Sequence, residues 1–315
     1  MPYLSQRSGP YPSNTAGVGG VPTITLDIPV CAVFIFIYIC FAATNMTIFQ
    51  VNRQRQHKFV LSALLFGFCM SRIATLVLRI AWATRQHNVR IAIAAQILVN
   101  AGILIIYIVN LILAQRILRA IQPQVGWNLF LRAAYKVLYI AIGGALVMVI
   151  TSVVFSLYTL NMHTRSICRD VQLAALTYLL IFTCLPFIHI AAALLLPKSR
   201  EAESFGEGSM RSKLIIATLS ACLCLLIAGF KAGVNWSPVR LATSPAWYDS
   251  KASFYVFTFV CEVLILILLT FSRIDKRFYV PDGCKRAGDY TRLRQRVSLE
   301  PEDNSLSEGN IKSEK

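Results

Sequence analysis

The sequence predicts an all-α fold, a seven-helix transmembrane bundle with its amino terminus outside and its carboxyl terminus cytosolic. Hydrophobic residues make up 56% of the 315 positions and charged ones 15%. The apolar share exceeds the roughly 45–50% of soluble domains, so one soluble globule would lack the polar surface to cover it. Seven stretches hold about 20 predominantly apolar residues, the length a helix needs to cross the hydrocarbon core with its backbone polar groups satisfied internally. Lys and Arg gather between and after these stretches, mostly on the side of the carboxyl tail.

Residues 1–27, rich in Pro, Gly and Ser, read as a flexible extracellular arm. They lack the early apolar core of a signal peptide, so the first membrane helix acts as the targeting signal. That helix covers 28–50, with Asp27 as its cap and Pro29 in its first turn, where a missing N–H costs little. The second covers 59–84, the third 91–114 and the fourth 137–160. The fifth, 171–196, contains Pro186, which removes a backbone donor and predicts a kink near Phe182. The sixth, 214–230, is the shortest, and the seventh covers 252–272. A membrane-surface helix is predicted over 273–281, with Ile274 and Phe278 on the lipid and the charges facing water. Residues 282–315 read as a disordered cytosolic tail, charged and poor in aromatics.

With the amino terminus outside, Lys and Arg number 21 on the inner side against 8 on the outer. Lys231, Arg240 and Lys251 belong to the outer count; without the tail the balance is 11 to 8, so the tail decides the orientation. The net charge of +16 points to lipid headgroups rather than nucleic acid, because the basic residues flank apolar runs instead of forming a polar domain. Seven of the nine cysteines fall inside apolar runs, and Cys168 and Cys284 are expected on opposite sides of the membrane, which excludes a disulfide framework. No metal-ligand spacing is present, no cofactor is expected, and a single buried acid with one inner His does not supply an enzyme's acid–base set.

Ionisable side chains at membrane depth cost at least about 2.5–3.5 kcal/mol each, so they point to function. Arg72 and Arg79 lie seven apart on one face of the second span, joined by Thr75. Glu262 is the one acid inside the seven predicted spans, and its depth matches that of Arg72 to within a turn. The third span carries a polar face of Gln96, Asn100, Tyr107 and Asn110, and Thr258 stands one turn before Glu262. Turned inward, these groups would form a polar cavity in the outer half of the bundle. Three readings stay open: a structural charge clamp, a ligand or substrate cavity, and a proton or ion path. Arg79 lies near enough to the outer surface to snorkel. His189, three residues after Pro186, is expected to bind a freed carbonyl rather than a metal.

Candidate modification sites are Asn235 in a glycosylation sequon on the outer loop, Cys284, either palmitoylated or a free thiol, and Ser298 for phosphorylation.

Seven helices with an outside amino terminus resemble a G-protein-coupled receptor in topology. The local motifs of the best-known receptor class are missing: the third helix ends in Ala114-Gln-Arg-Ile117 with no acid before the Arg. More specific are the runs Leu61-Ser-Ala-Leu-Leu-Phe-Gly-Phe-Cys-Met-Ser-Arg72, Leu78-Arg-Ile-Ala-Trp82, Ile91-Ala-Ile-Ala-Ala-Gln96, Asn110-Leu-Ile-Leu-Ala-Gln-Arg-Ile-Leu-Arg-Ala120 and Pro123-Gln-Val-Gly-Trp127. They resemble a family of fungal seven-helix membrane proteins of unknown function, sometimes labelled as similar to family C receptors. The region is more distantly similar to fungal RTA-like proteins, associated with lipid translocation and resistance to toxic compounds. The expected function is a receptor or sensor, placed in the plasma membrane, that binds a small ligand or lipid in the outer half of the bundle and engages a cytosolic partner such as a G protein. A lipid or drug translocator is the alternative, and a structural membrane protein without ligand the second. Fold-level likeness does not choose among them.

Overall fold

The computed structural model describes residues 10, 15–55, 59–197, 199, 202–281, 283–284 and 286–291. Among these, seven helices are long and apolar enough to cross a membrane: α1 (Ile24–Gln54), α2 (Val60–Thr84), α3 (Val89–Ile121), α4 (Leu129–Tyr158), α5 (Met162–Leu195), α6 (Met210–Trp236) and α7 (Lys251–Phe271). The chain is an integral, multi-pass membrane protein built on a seven-helix bundle. Large apolar side chains point outward all round it, among them Phe36, Ile140, Val147, Ile188, Leu219 and Leu264. A belt of that size has lipid rather than water as its solvent.

The helices run past the predicted spans at most ends, because an apolar window measures hydrocarbon thickness and a helix stops only where its backbone is capped. Asn88 accepts from the N–H groups of Arg90 and Ile91, Asn128 from Phe130, Asn161 from His163, and Ser209 from Ser212. Each is a preferred N-cap residue, and together they start α3 to α6 up to nine residues before the predicted boundaries.

Helix α3 is central, packing against α2, α4, α5 and α6, while α1 and α2 form a close pair and α4 sits at the edge. Gly102 of α3 makes room for side chains of α2: a Cβ there would fall 2.6 Å from Ser71 Oγ and 2.9 Å from Arg72 Nη1. Inside α7, residues Tyr255–Val260 form a π-helical stretch, whose wider turn precedes Glu262 and keeps Tyr255, Phe259 and Glu262 all facing the core.

The end of the bundle that holds the start of α1 is called the N end, and the opposite one the C end. The C end is closed by an aromatic cluster. Phe205, from the α5–α6 connection, lies 6.1 Å from Phe278 and 5.8 Å from Tyr290, and Tyr290 lies 5.8 Å from Trp127. Gly206 passes the chain beside Phe278 at φ +54°, where a Cβ would strike the Arg277 carbonyl. Glu203 accepts from the N–H groups of Gly288 and Thr291. Two expectations change here. Ile274 and Phe278, expected on the lipid, are buried in the protein, because the helix after α7 is only Ile274–Arg277 and folds back on the bundle. The start of the predicted disordered tail is ordered by Tyr290, whose ring finds a pocket among other aromatics; the rest of that tail, with Ser298, lies outside the described residues.

Candidate functional site

At mid-bundle, Arg72 of α2 and Glu262 of α7 form an ion pair of 2.6 Å with both side chains fully buried. Tyr38 of α1 donates to the second oxygen of Glu262 at 3.2 Å. Arg72 Nη1 donates to the Leu98 and Val99 carbonyls of α3 at 3.2 and 3.1 Å, and its guanidinium lies over Phe68 at 5.2 Å. Four helices are tied together, and each charge is met by an opposite charge and further hydrogen bonds, which a buried pair requires if it is to survive desolvation. The depth match read from the sequence brings these two side chains together.

A second charge cluster, at the N end, centres on Asp27. One of its oxygens accepts from Arg79 Nη2 at 2.8 Å, Arg79 Nε at 3.1 Å and Tyr255 at 2.7 Å. The other accepts from Lys251 at 2.6 Å and the Thr23 N–H at 2.8 Å. Arg79 also donates to the Gly19 carbonyl at 3.0 Å and covers the Phe254 ring at 4.2 Å. Asp27 is therefore an internal acid of α1 rather than a cap before it, and Glu262 is not the only acid within the spans. Arg79 does not snorkel; it is 4% exposed because Asp27 offers a partner at its own depth. The arm expected to be flexible is fastened over 15–23 by these bonds and by the Ala16 N–H donating to the Arg240 carbonyl at 2.9 Å. The missed signal was the pairing of Asp27 and Arg79 at matching ends of adjacent helices.

A cavity of about 30 Å³ lies between α3, α4, α5 and α6. Its polar wall is Asn100 and Tyr107 of α3 with Lys231 of α6, and its apolar wall includes Leu146 and Val149 of α4 and Leu179 of α5. Lys231 Nζ donates to the Val99 carbonyl at 3.3 Å and to Asn100 Oδ1 at 3.4 Å. Among the described residues no carboxylate lies within salt-bridge distance of it. The Tyr107 side chain is 2% exposed, yet its hydroxyl has no partner among the described residues. The Val99 carbonyl is shared by Lys231 and Arg72, so the cavity and the buried ion pair touch through one backbone oxygen. Lys231, counted by the sequence as an outer-loop cation, lies inside α6.

The predicted polar face of α3 does not line one chamber. Gln96 is exposed, Asn100 and Tyr107 reach the cavity, and Asn110 is buried farther along, donating to Cys224 at 3.1 Å and to the Ile106 carbonyl. The cause is length: Gln96 and Asn110 stand fourteen steps apart, about 21 Å along the helix, more than so small a cavity. Thr258 is buried in the π-helical stretch. His189 binds the Leu185 carbonyl of its own helix and stacks on Tyr135 at 5.5 Å; the carbonyl freed by Pro186 belongs to Phe182. Asn235 lies in the last turn of α6, not in a loop, and donates to the Lys231 carbonyl at 2.8 Å. Cys284 is half-buried, with its thiol donating to the Pro281 carbonyl at 3.2 Å.

No family model, curated protein or solved structure matches the chain. The site therefore rests on its own geometry.

Proposed function

We propose that this protein is a non-catalytic receptor or sensor of the plasma membrane, related to the fungal seven-helix proteins it resembles, with its N end outside. Its ligand, a small molecule or lipid, enters the cavity between α3, α4, α5 and α6. The observation that carries this reading is the Lys231 ammonium on the cavity wall beside the Tyr107 hydroxyl: among the described residues it has no carboxylate within salt-bridge distance, whereas Arg72, Glu262, Arg79 and Asp27 are all ion-paired. A cation within a membrane helix is costly where no opposite charge meets it, and a polar ligand group that binds Lys231 recovers part of that cost. Occupation would draw Lys231 from the Val99 carbonyl it shares with Arg72, which gives the cavity a route to α2 and α7. Arg72, Glu262, Arg79 and Thr258 are then structural, and Gln96 takes no part.

The test is proximity labelling from a tag on the carboxyl tail in the native cell, comparing the wild type with Lys231→Met at matched abundance. Enrichment of G-protein subunits over a control seven-helix protein, altered by the substitution, is the expected result. Absence of those subunits, with lipid flux in reconstituted vesicles, would replace the sensor by the translocator. Absence of both would leave a structural membrane protein.

A further inference from the structure

The charges around the cavity do not balance. The mid-bundle group consists of Arg72, Lys231 and Glu262, two cations for one acid, and Glu262 is already bonded to Arg72 and Tyr38. What remains is one positive charge on Lys231, with its neutral neighbours Asn100 and Tyr107, in an otherwise apolar chamber. The groups that face it from α3 are Asn100 and Tyr107, and α4 and α5 supply apolar walls. An excess cation at a low-dielectric site selects an anion.

Size narrows the class. A volume of about 30 Å³ holds roughly two waters, far below the 300–1,000 Å³ of sites that enclose a whole drug-sized ligand. A small head of a few heavy atoms fits; a sugar or a nucleotide does not. The walls point to what the head is attached to. Leu146, Val149 and Leu179 line the cavity and are also partly exposed on the bundle surface, so the apolar wall separating the chamber from lipid is one side chain thick. Its neighbours Gly143 and Gly144 on α4 have nothing within 4 Å of a Cβ position, which leaves that surface smooth for a hydrocarbon chain.

We propose, building on the cavity reading above, that the ligand is a single-chain amphiphile with a small anionic head, a carboxylate or a phosphate. The head accepts hydrogen bonds from Lys231 Nζ, Asn100 Nδ2 and the Tyr107 hydroxyl, and the acyl chain leaves past α4 and α5 into the bilayer. Asn100 Nδ2 turns from the Gln96 carbonyl, which it meets at 3.2 Å, and Lys231 gives up its long contact with Val99. The head exchanges weak internal contacts for charge-assisted ones, which are shorter and stronger.

The experiment uses the full chain in phosphatidylcholine nanodiscs with radiolabelled oleate, and competes it with unlabelled oleate, oleoyl lysophosphatidate and uncharged oleyl alcohol. Saturable oleate binding is expected, weakened at least tenfold in Lys231→Met, several-fold in Tyr107→Phe, and largely retained in Lys231→Arg. Oleyl alcohol is expected to compete at least tenfold less well than oleate. Whichever of oleate and lysophosphatidate competes more tightly identifies the head as carboxylate or phosphate. Unfolding midpoints within a few degrees of wild type check that each variant folds. Oleyl alcohol competing as well as oleate, with Lys231→Met neutral and a cavity-filling Ala145→Phe abolishing both, would overturn the anion and leave the cavity standing. Saturable binding of oleate and oleyl alcohol that is indifferent to both Lys231→Met and Ala145→Phe would overturn the two together.

Discussion

The two halves of the bundle use buried charge in opposite ways. Where α1, α2 and α7 meet, Arg72, Glu262, Arg79 and Asp27 are bonded to one another, to tyrosines and to backbone carbonyls. Where α3 to α6 meet, Lys231 and Tyr107 face a cavity with bonding capacity left over. A charge inside a membrane protein is costly wherever it stands, so cost alone does not mark a site. What distinguishes them is whether neighbouring protein already satisfies the charge.

The largest expected effect falls on the satisfied half. Glu262→Ala strands Arg72 beside Phe68 and Phe259, and losing one partner of a buried pair costs about 3–5 kcal/mol. Folded yield by size-exclusion chromatography should collapse; a normal yield would remove the clamp. Asp27→Ala leaves Arg79 and Lys251 without their acid. Because Lys251 is 25% exposed and water replaces part of its loss, about 2–3 kcal/mol is expected, read as a lower unfolding midpoint. Gly102→Ala drives a methyl against Ser71 and the Arg72 guanidinium, an overpacking worth about 1–3 kcal/mol. An equally stable variant would show that the Ser71 and Arg72 side chains shift at little cost.

Lys231→Met sharpens the contrast from the other side, since stability should change by less than about 1 kcal/mol while oleate binding falls. The smallest effect is outside the membrane. Burial raises the Asp275 carboxyl, but hydrogen bonds from Arg273 and Asn52 outweigh it and hold the group below its ordinary 3.8. The contribution is therefore present above about pH 3.8 and lost as pH falls through the depressed value. Half-exposed Arg273 keeps it below about 1 kcal/mol. An acid titration of the wild type against Asp275→Asn should show the two midpoints converging below that pH.

The seven spans were legible because hydrophobicity and length report directly on the hydrocarbon core. The Arg72–Glu262 pair was legible because counting from helix ends gives depth. Asp27 and Lys231 were not, for one shared reason. Both lie beyond the apolar windows but inside the helices, whose true ends are set by Thr23, Ser209 and Trp236 and their neighbours. Asp27 thus passed for a cap and Lys231 for a loop cation. The aromatic closure by Phe205, Phe278 and Tyr290 joins residues 85 positions apart at its extremes, and no local pattern announces such contacts. The caps Asn88, Asn128, Asn161 and Ser209 are readable signals of where α3 to α6 begin; Lys231 lies near the opposite end of α6, which they do not mark.

The proposal assigns Glu262 to holding the protein together and Lys231 to receiving its ligand. Unfolding midpoint and oleate affinity, measured side by side on Glu262→Gln and Lys231→Met in nanodiscs, test it most directly. Glu262→Gln should lower the midpoint while the folded fraction binds oleate nearly as wild type does, and Lys231→Met should keep the midpoint and lose at least tenfold in affinity. The reverse pattern, with Lys231→Met unstable and Glu262→Gln stable but unable to bind, would contradict it.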